Sequence, residues 1–312
     1  MNDFYLALSA IFPLFFPMAA GYLLKQIKLI DDHTVKGMNK AVFRFFLPLL
    51  LCYNVYHSDL SHVLDKKLLL VGISGVVASF LLFFLFVRMT EPDKSKQGVM
   101  VQGMFRSNFV LFGLPLTTHL YGPEEAGPTA LMIAVIAPLF NILSVIALEL
   151  SRGSTPNVKS ILREIVTNPL ILSSALGLLL LFTGITIPEL IDTAIDSMTD
   201  TTTPLALFLL GASFRFSAAK STARQLVTVI AAKLVILPSI MLLIGYFLDF
   251  HGAATAILLA IFASPTAVSS FVMAQEMEGD ADLAGQIVVW TSVGALVSIF
   301  CFLLLLRQTG GI

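Results

Sequence analysis

Charge is what this sequence has least of. Only 12% of its 312 residues are charged, against 57% hydrophobic, and the mean hydropathy is +0.89. A soluble domain carries roughly 25% charged residues, so this chain has too few polar groups to coat a water-facing globule. Two Cys exclude a disulfide scaffold, and 25 Phe exclude collagen and disorder. No basic excess exists either: 19 Lys and Arg stand against 20 Asp and Glu, net −1, which argues against a nucleic-acid partner. Cys52 and Cys301 lie in apolar runs and read as inert thiols. What remains is an all-α polytopic membrane protein with the lipid bilayer as its surroundings.

A bilayer core takes about 20 apolar residues as a helix. Uncharged stretches of 20–24 residues run over Phe4–Leu24, Leu68–Val87, Ala126–Leu148, Ile165–Pro188, Gly252–Gln275 and Leu283–Leu306. Gln97–Leu120 contains Arg106 and His119, and Ala223–Leu248 contains Arg224 and Lys233. Two shorter runs, Phe45–Tyr56 and Thr201–Phe214, each follow a polar helical stretch, Met38–Arg44 and Ile191–Asp200, that would start at the interface. The expectation is ten spans and no soluble domain. The first run is longer than a signal-peptide core and is preceded by Asp3 without Lys or Arg, so it reads as a retained span.

Basic residues cluster on one side. The loops after spans 1, 3, 5 and 7 hold Lys25, Lys28, Lys36, Lys40, Arg44, Arg88, Lys94, Lys96, Arg152, Lys159, Arg163, Arg215, Lys220 and Arg224. The other side holds Lys66, Lys67 and Arg307. These loops are therefore expected in the cytoplasm and both termini outside.

An internal repeat is visible at an offset of 156 residues, half the chain: Pro13 with Pro169, Gly21 with Gly177 and Pro48 with Pro204. The halves, 1–156 and 157–312, have five spans each. An odd number forces the second copy to enter from the opposite side, the inverted repeat of many secondary transporters. In such repeats interrupted helices mark the substrate site. Span 4 reads Arg106-Ser107-Asn108-Phe109 and continues to Gly113 and Pro115, and span 9 reads Ser264-Pro265-Thr266. Asn108 and Ser264 are repeat mates, each about 15–18 Å of helix from its span's start and so near midplane. Unwound backbone is tolerated at that depth only beside protein or a water-filled cavity. Half-helix ends there would offer free N–H groups to an anion, with Asn108, Ser107, Ser264 and Thr266 as neutral partners. The alternative for each Pro is a simple kink.

These segments resemble the auxin efflux carrier family, which holds plant auxin exporters and bacterial malonate or malate permeases. The resemblance lies in Asn108, Gly113-Leu114-Pro115-Leu116 and Tyr121-Gly122 of span 4. It continues in Pro265-Thr266-Ala267-Val268, Phe271-Val272 and Ala274-Gln275-Glu276 of span 9, in Pro48-Leu49-Leu50, and in Thr203-Pro204-Leu205-Ala206-Leu207. It implies a fold similar to bile-acid symporters and sodium/proton antiporters. Spans 1, 2, 6 and 7 would form a scaffold that often dimerises, and spans 3–5 and 8–10 a transport domain whose spans 4 and 9 cross at their breaks. Asn108 would contact a substrate carboxylate and Pro265 would mark the second crossover. The implied binding set is Asn108, Ser107, Phe109, Gly113, Pro115, Ser264, Pro265 and Thr266, with Pro48 and Pro204 as scaffold breaks. Plant members have Pro before the Asn where this chain has Ser107, so the span 4 break is expected to lean on Gly113 and Pro115. The absence of a long insert between spans 5 and 6 resembles bacterial members, in the inner membrane.

The charges inside spans have two readings each. Lys233 could neutralise an anion or answer a proton, or it could snorkel to the interface. Arg106 could draw anions in or pair with a neighbouring helix. His119 reads as an interfacial polar group, Asp31-Asp32 as the N-cap of the interfacial start of span 2 with a metal-binding diacid as its alternative, and Glu276, Glu278, Asp280 and Asp282 as a solvated loop capping span 10. No metal site or cofactor is expected. Coupling to H+ or Na+ stays open, since sodium could bind carbonyls and hydroxyls. The reading is a carrier for a small organic anion; a channel, a sodium-coupled bile-acid-type symporter and a membrane-embedded enzyme are the alternatives. An enzyme would need a nucleophile with its base, or a metal cluster, at membrane depth.

Overall fold

A computed structural model describes residues 15–57, 65–122, 125–152, 163, 166–214 and 222–311. Pro13, the start of span 1 and several of the basic loop residues lie outside them. Every element among the described residues is helical.

The helices begin and end on sequence signals. Helix α1 covers 15–26. Helix α2 is one rod built from Asp32–Ala41, a π turn over Val42–Phe46, and Leu47–Tyr56. Asp31 caps it, accepting from the Thr34 N–H at 2.7 Å, and hydrogen bonding from the Thr34 side chain first and its N–H second holds the Asp31 carboxyl below the usual carboxylate value. Next come α3, Lys66–Thr90, capped by Asp65, and α4, Lys94–Phe105, capped by Asp93. Helix α5 is Phe109–Tyr121 and α6 is Ala126–Ser151. Helix α7, Pro169–Thr183, starts on an Asn168 cap with Pro at its first position and stops at Gly184, φ +65°. Helix α8 is Glu189–Ser213. Helix α9 runs over Ala223–Ala231, a second π turn Ala232–Ile236, and Leu237–Phe247. Helices α10, Ala253–Ala263, and α11, Ser269–Glu276, precede α12, Ala281–Thr309, which Asp280 caps through the Leu283 N–H at 2.9 Å.

Both π turns end two residues before a proline, Pro48 and Pro238. Leu47 and Leu237 donate five residues back, to the Val42 and Ala232 carbonyls. Proline brings no N–H and crowds the carbonyl four residues back; the wider turn relieves that crowding without ending the helix.

Among the described residues, four helices are long and apolar enough to cross a membrane: Lys66–Thr90, Pro128–Ser151, Ala223–Phe247 and Ala281–Thr309. At 1.5 Å per residue each exceeds the roughly 30 Å of a hydrocarbon core. They surround α4, α10 and α11, which are buried over Gly98–Phe105, Thr255–Ala263 and Ser270–Ala274. Their outward faces present Leu81 and Leu85 of α3, Val235 and Leu243 of α9, and Val297 and Leu305 of α12, all exposed. Such an apolar belt fits a lipid environment.

Helix α1 packs backbone to backbone on α8, and α7 on α2. A Cβ on Gly21 of α1 would meet the Phe208 carbonyl oxygen of α8 at 2.0 Å, and one on Gly211 of α8 would meet the Met18 oxygen at 1.9 Å. Gly177 of α7 lies close on α2, where a Cβ would stand 2.7 Å from the Cys52 oxygen. Only glycine permits these approaches.

Candidate functional site

Two breaks meet in the buried centre. Helix α4 ends at Phe105; Arg106 turns extended, with φ −74° and ψ 139°. Helix α5 restarts after Asn108. Helix α10 ends at Ala263, where Ser264 is extended, ψ 148°, because the following Pro265 disfavours the helical region and supplies no N–H. Helix α11 restarts at Ser269.

The second break is therefore written in its own sequence, and the first is not. Instead the second holds it open. The Asn108 N–H donates to the Pro265 carbonyl at 2.8 Å, and the Ser107 hydroxyl donates to the Ser264 carbonyl at 3.1 Å. Gly113 and Pro115 do not make the break, as the sequence suggested; both lie inside α5. Gly113 has another task, since a Cβ there would stand 2.6 Å from the Phe109 ring, and Pro115 is exposed. Thr266 stitches the crossing to its neighbours: its N–H donates to Thr291 Oγ1 at 3.1 Å and its hydroxyl to the Gly103 carbonyl at 2.9 Å.

The two charged residues settle differently. Lys233 does not snorkel. It is 0% exposed, seated in the π turn of α9, and its Nζ donates to Ser107 Oγ at 3.1 Å and to the Phe262 carbonyl at 3.2 Å. Arg106, 4% exposed, pairs with neighbouring helices and also faces a cavity. Its guanidinium donates to Asn141 Oδ1 at 2.5 Å, Ser269 Oγ at 2.7 Å and Gln102 Oε1 at 3.4 Å, and it touches Met273 Sδ at 2.7 Å. All four of these partners are neutral, and the carboxylate in the cavity wall, Asp200, is not among them.

That cavity holds about 440 Å³ between the breaks and helices α2, α6 and α8. Arg106, Ser107, Asn108 and Phe109 line it from the first break, and Ala267, Val268 and Ser269 from the second. Asn141 and Phe140 of α6, Leu50 and Asn54 of α2, and Thr199 to Leu207 of α8, Pro204 and an exposed Asp200 among them, complete the wall. Ser264, Pro265, Thr266, Gly113, Pro115, Pro48 and Lys233 stand outside the lining. The Asn108 side chain has no hydrogen-bond partner among the described residues and faces the cavity. Sequence reasoning missed Asn54, Asn141 and Ser269. Asn141 had a signal: it is an amide in the middle of a 23-residue uncharged run.

An apolar shell around two unwound helices that share a cavity is the construction of a membrane transport protein. Comparison with known proteins agrees. The family model described as "Membrane transport protein" matches residues 6–303, nearly the whole chain, and the protein belongs to that family, the auxin efflux carrier family. It is a multi-pass membrane transporter and not an enzyme. An "Uncharacterized transporter" of Methanothermobacter thermautotrophicus is 22% identical over 285 residues, covering 89% of this chain and 91% of the relative. "Auxin efflux carrier component 8" of Arabidopsis thaliana is 23% identical over 362 residues, 97% and 98% of the two chains. A "Putative malonate transporter" of Rhizobium meliloti is 25% identical over 309 residues, 96% and 95%.

Proposed function

We propose that this chain is a secondary carrier for a small organic anion, working by alternating access. The observation that carries the reading is Arg106. A buried guanidinium with only neutral partners costs several kcal/mol unless a counter-charge arrives, and this one lines the cavity. An anion bound there would gain that charge, the amides of Asn108 and Asn141, and the free N–H groups at the start of α5. A relative's name adds malonate as the first probe.

The architecture that suits this function is ten spans in two inverted halves, 1–156 and 157–312. Reciprocal packing supports it. The Gly21–Phe208 contact becomes Gly177–Cys52 when each member is replaced by its mate 156 residues away. Thr202 Oγ1 donates to the carbonyl of its own mate, Phe46, at 3.4 Å, as residues beside a two-fold axis would. In this arrangement α1, α2, α7 and α8 are the scaffold and a candidate homodimer surface, and α3–α6 with α9–α12 carry the site across. The basic loops would face the cytoplasm and the termini the outside of a bacterial inner membrane.

A thermal-shift screen of the purified protein against dicarboxylates, indole acids and bile acids tests the reading. Malonate or a close dicarboxylate should raise the melting temperature saturably. Arg106→Gln, which keeps a donor and drops the charge, should weaken that binding by about 30-fold or more, the price of one charge-assisted contact of roughly 2 kcal/mol. No stabilisation by any organic anion, or full binding by the variant, would remove the basis of the assignment.

A further inference from the structure

The Lys233 ammonium is placed where a coupling cation would be. In carriers with crossed broken helices, free carbonyls and the negative ends of half-helices hold Na+. Here the C-terminal end of α10 presents such oxygens. The Phe262 carbonyl would normally receive the Thr266 N–H, but that group is turned to Thr291 Oγ1 at 3.1 Å. The amine of Lys233 takes its place, 3.2 Å from the Phe262 oxygen and 3.1 Å from Ser107 Oγ. Ser107 then passes its own proton toward the Ser264 carbonyl at 3.1 Å. One buried cation thus collects a half-helix carbonyl and a hydroxyl from the two breaks at once, and neither of its partners is a carboxylate. Its mate 156 residues earlier is Val77, so the charge belongs to one half of the chain only.

We propose that Lys233 is a tethered cation that fills the alkali-ion position of the crossing, so that this transporter moves its anion without free sodium. The inference rests on the carrier reading above and deepens it by naming the source of the positive charge at the α10 end. It also gives Ser107 a purpose: a residue with a hydroxyl, rather than an imino acid, links the amine to the second break.

The experiment is a comparison of purified wild-type protein and Lys233→Met in sodium chloride and choline chloride at equal ionic strength, read as melting temperature. Met keeps an unbranched stem but ends one atom short of the ammonium, which leaves the two oxygens without a cation. Wild type should melt at the same temperature in both salts. The variant should be saturably stabilised by sodium, by about 3 °C or more, as mass action on a newly vacated ion site requires. Lys233→Ala gives the same comparison if Met does not yield folded protein. Saturable sodium stabilisation of the wild type, or variants that respond to sodium no more than to choline, would overturn the proposal. The readout needs no transported substrate, so a wrong anion assignment and a wrong cation assignment fail in different assays.

Discussion

Asn108→Ala is expected to reduce anion uptake about 100-fold, to the background of protein-free liposomes, while the protein stays folded. The two halves of that outcome come from two parts of one residue. The side chain faces the cavity without a protein partner among the described residues, so its hydrogen bonds are available to a ligand. A hydrogen bond to a charged group is worth about 1.5–3 kcal/mol, and 2.7 kcal/mol is about 100-fold. The backbone N–H, which alanine retains, is what joins the first break to the Pro265 carbonyl at 2.8 Å. Uptake of labelled malonate, alongside size-exclusion profile and melting temperature, separates the two effects. Full transport by the variant would refute the role given to Asn108.

The second large effect is structural. Gly211→Val should prevent recovery of folded, monodisperse protein. A Cβ at this position would lie 1.9 Å from the Met18 oxygen and 2.6 Å from its carbonyl carbon, so the obstacle is backbone and no side chain can swing aside. Helices α1 and α8 would have to separate, and the contact that holds the proposed scaffold would open. Gly37→Ala is the contrasting substitution. Nothing lies within 4 Å of a Cβ there, on an exposed turn of α2, so alanine should stabilise the helix by about 0.5–1 kcal/mol. Gly37→Ala should therefore give folded protein with a raised melting temperature, while Gly211→Val should give no monodisperse peak on size exclusion.

The parts of the fold that were legible in the sequence are those fixed by local chemistry. Asp31 and Asp280 cap helices because short carboxylates satisfy orphan N–H groups, and Pro265 ends α10 because its ring allows little else. The short apolar runs Phe45–Tyr56 and Thr201–Phe214 do continue from polar helical starts, in α2 and α8. What was not legible depends on partners far away in the chain. The break at Arg106–Asn108 contains no proline; it is kept by the Ser264 and Pro265 carbonyls more than 150 residues on. That is why Gly113 and Pro115, the nearest obvious helix breakers, drew attention that belonged to Ser107 and Asn108. Lys233 was ambiguous for a related reason. Hydropathy gives its depth but not which way the helix faces, and the π turn before Pro238 forms part of the seat that points the amine inward. The cavity wall likewise combines Asn54, Asn141 and Ser269 from three separate helices, and none of the three residues is itself part of a motif.

The central claim is that an anion is held in the cavity and carried across while helices rearrange around it. Counterflow in proteoliposomes tests this most directly. With vesicles preloaded with unlabelled malonate, wild-type protein should accumulate external labelled malonate transiently and well above equilibrium, because only a carrier exchanges one bound anion for another faster than it returns empty. Labelled anion that merely equilibrates, at a rate indifferent to what is loaded inside, would contradict a carrier and describe an open pore.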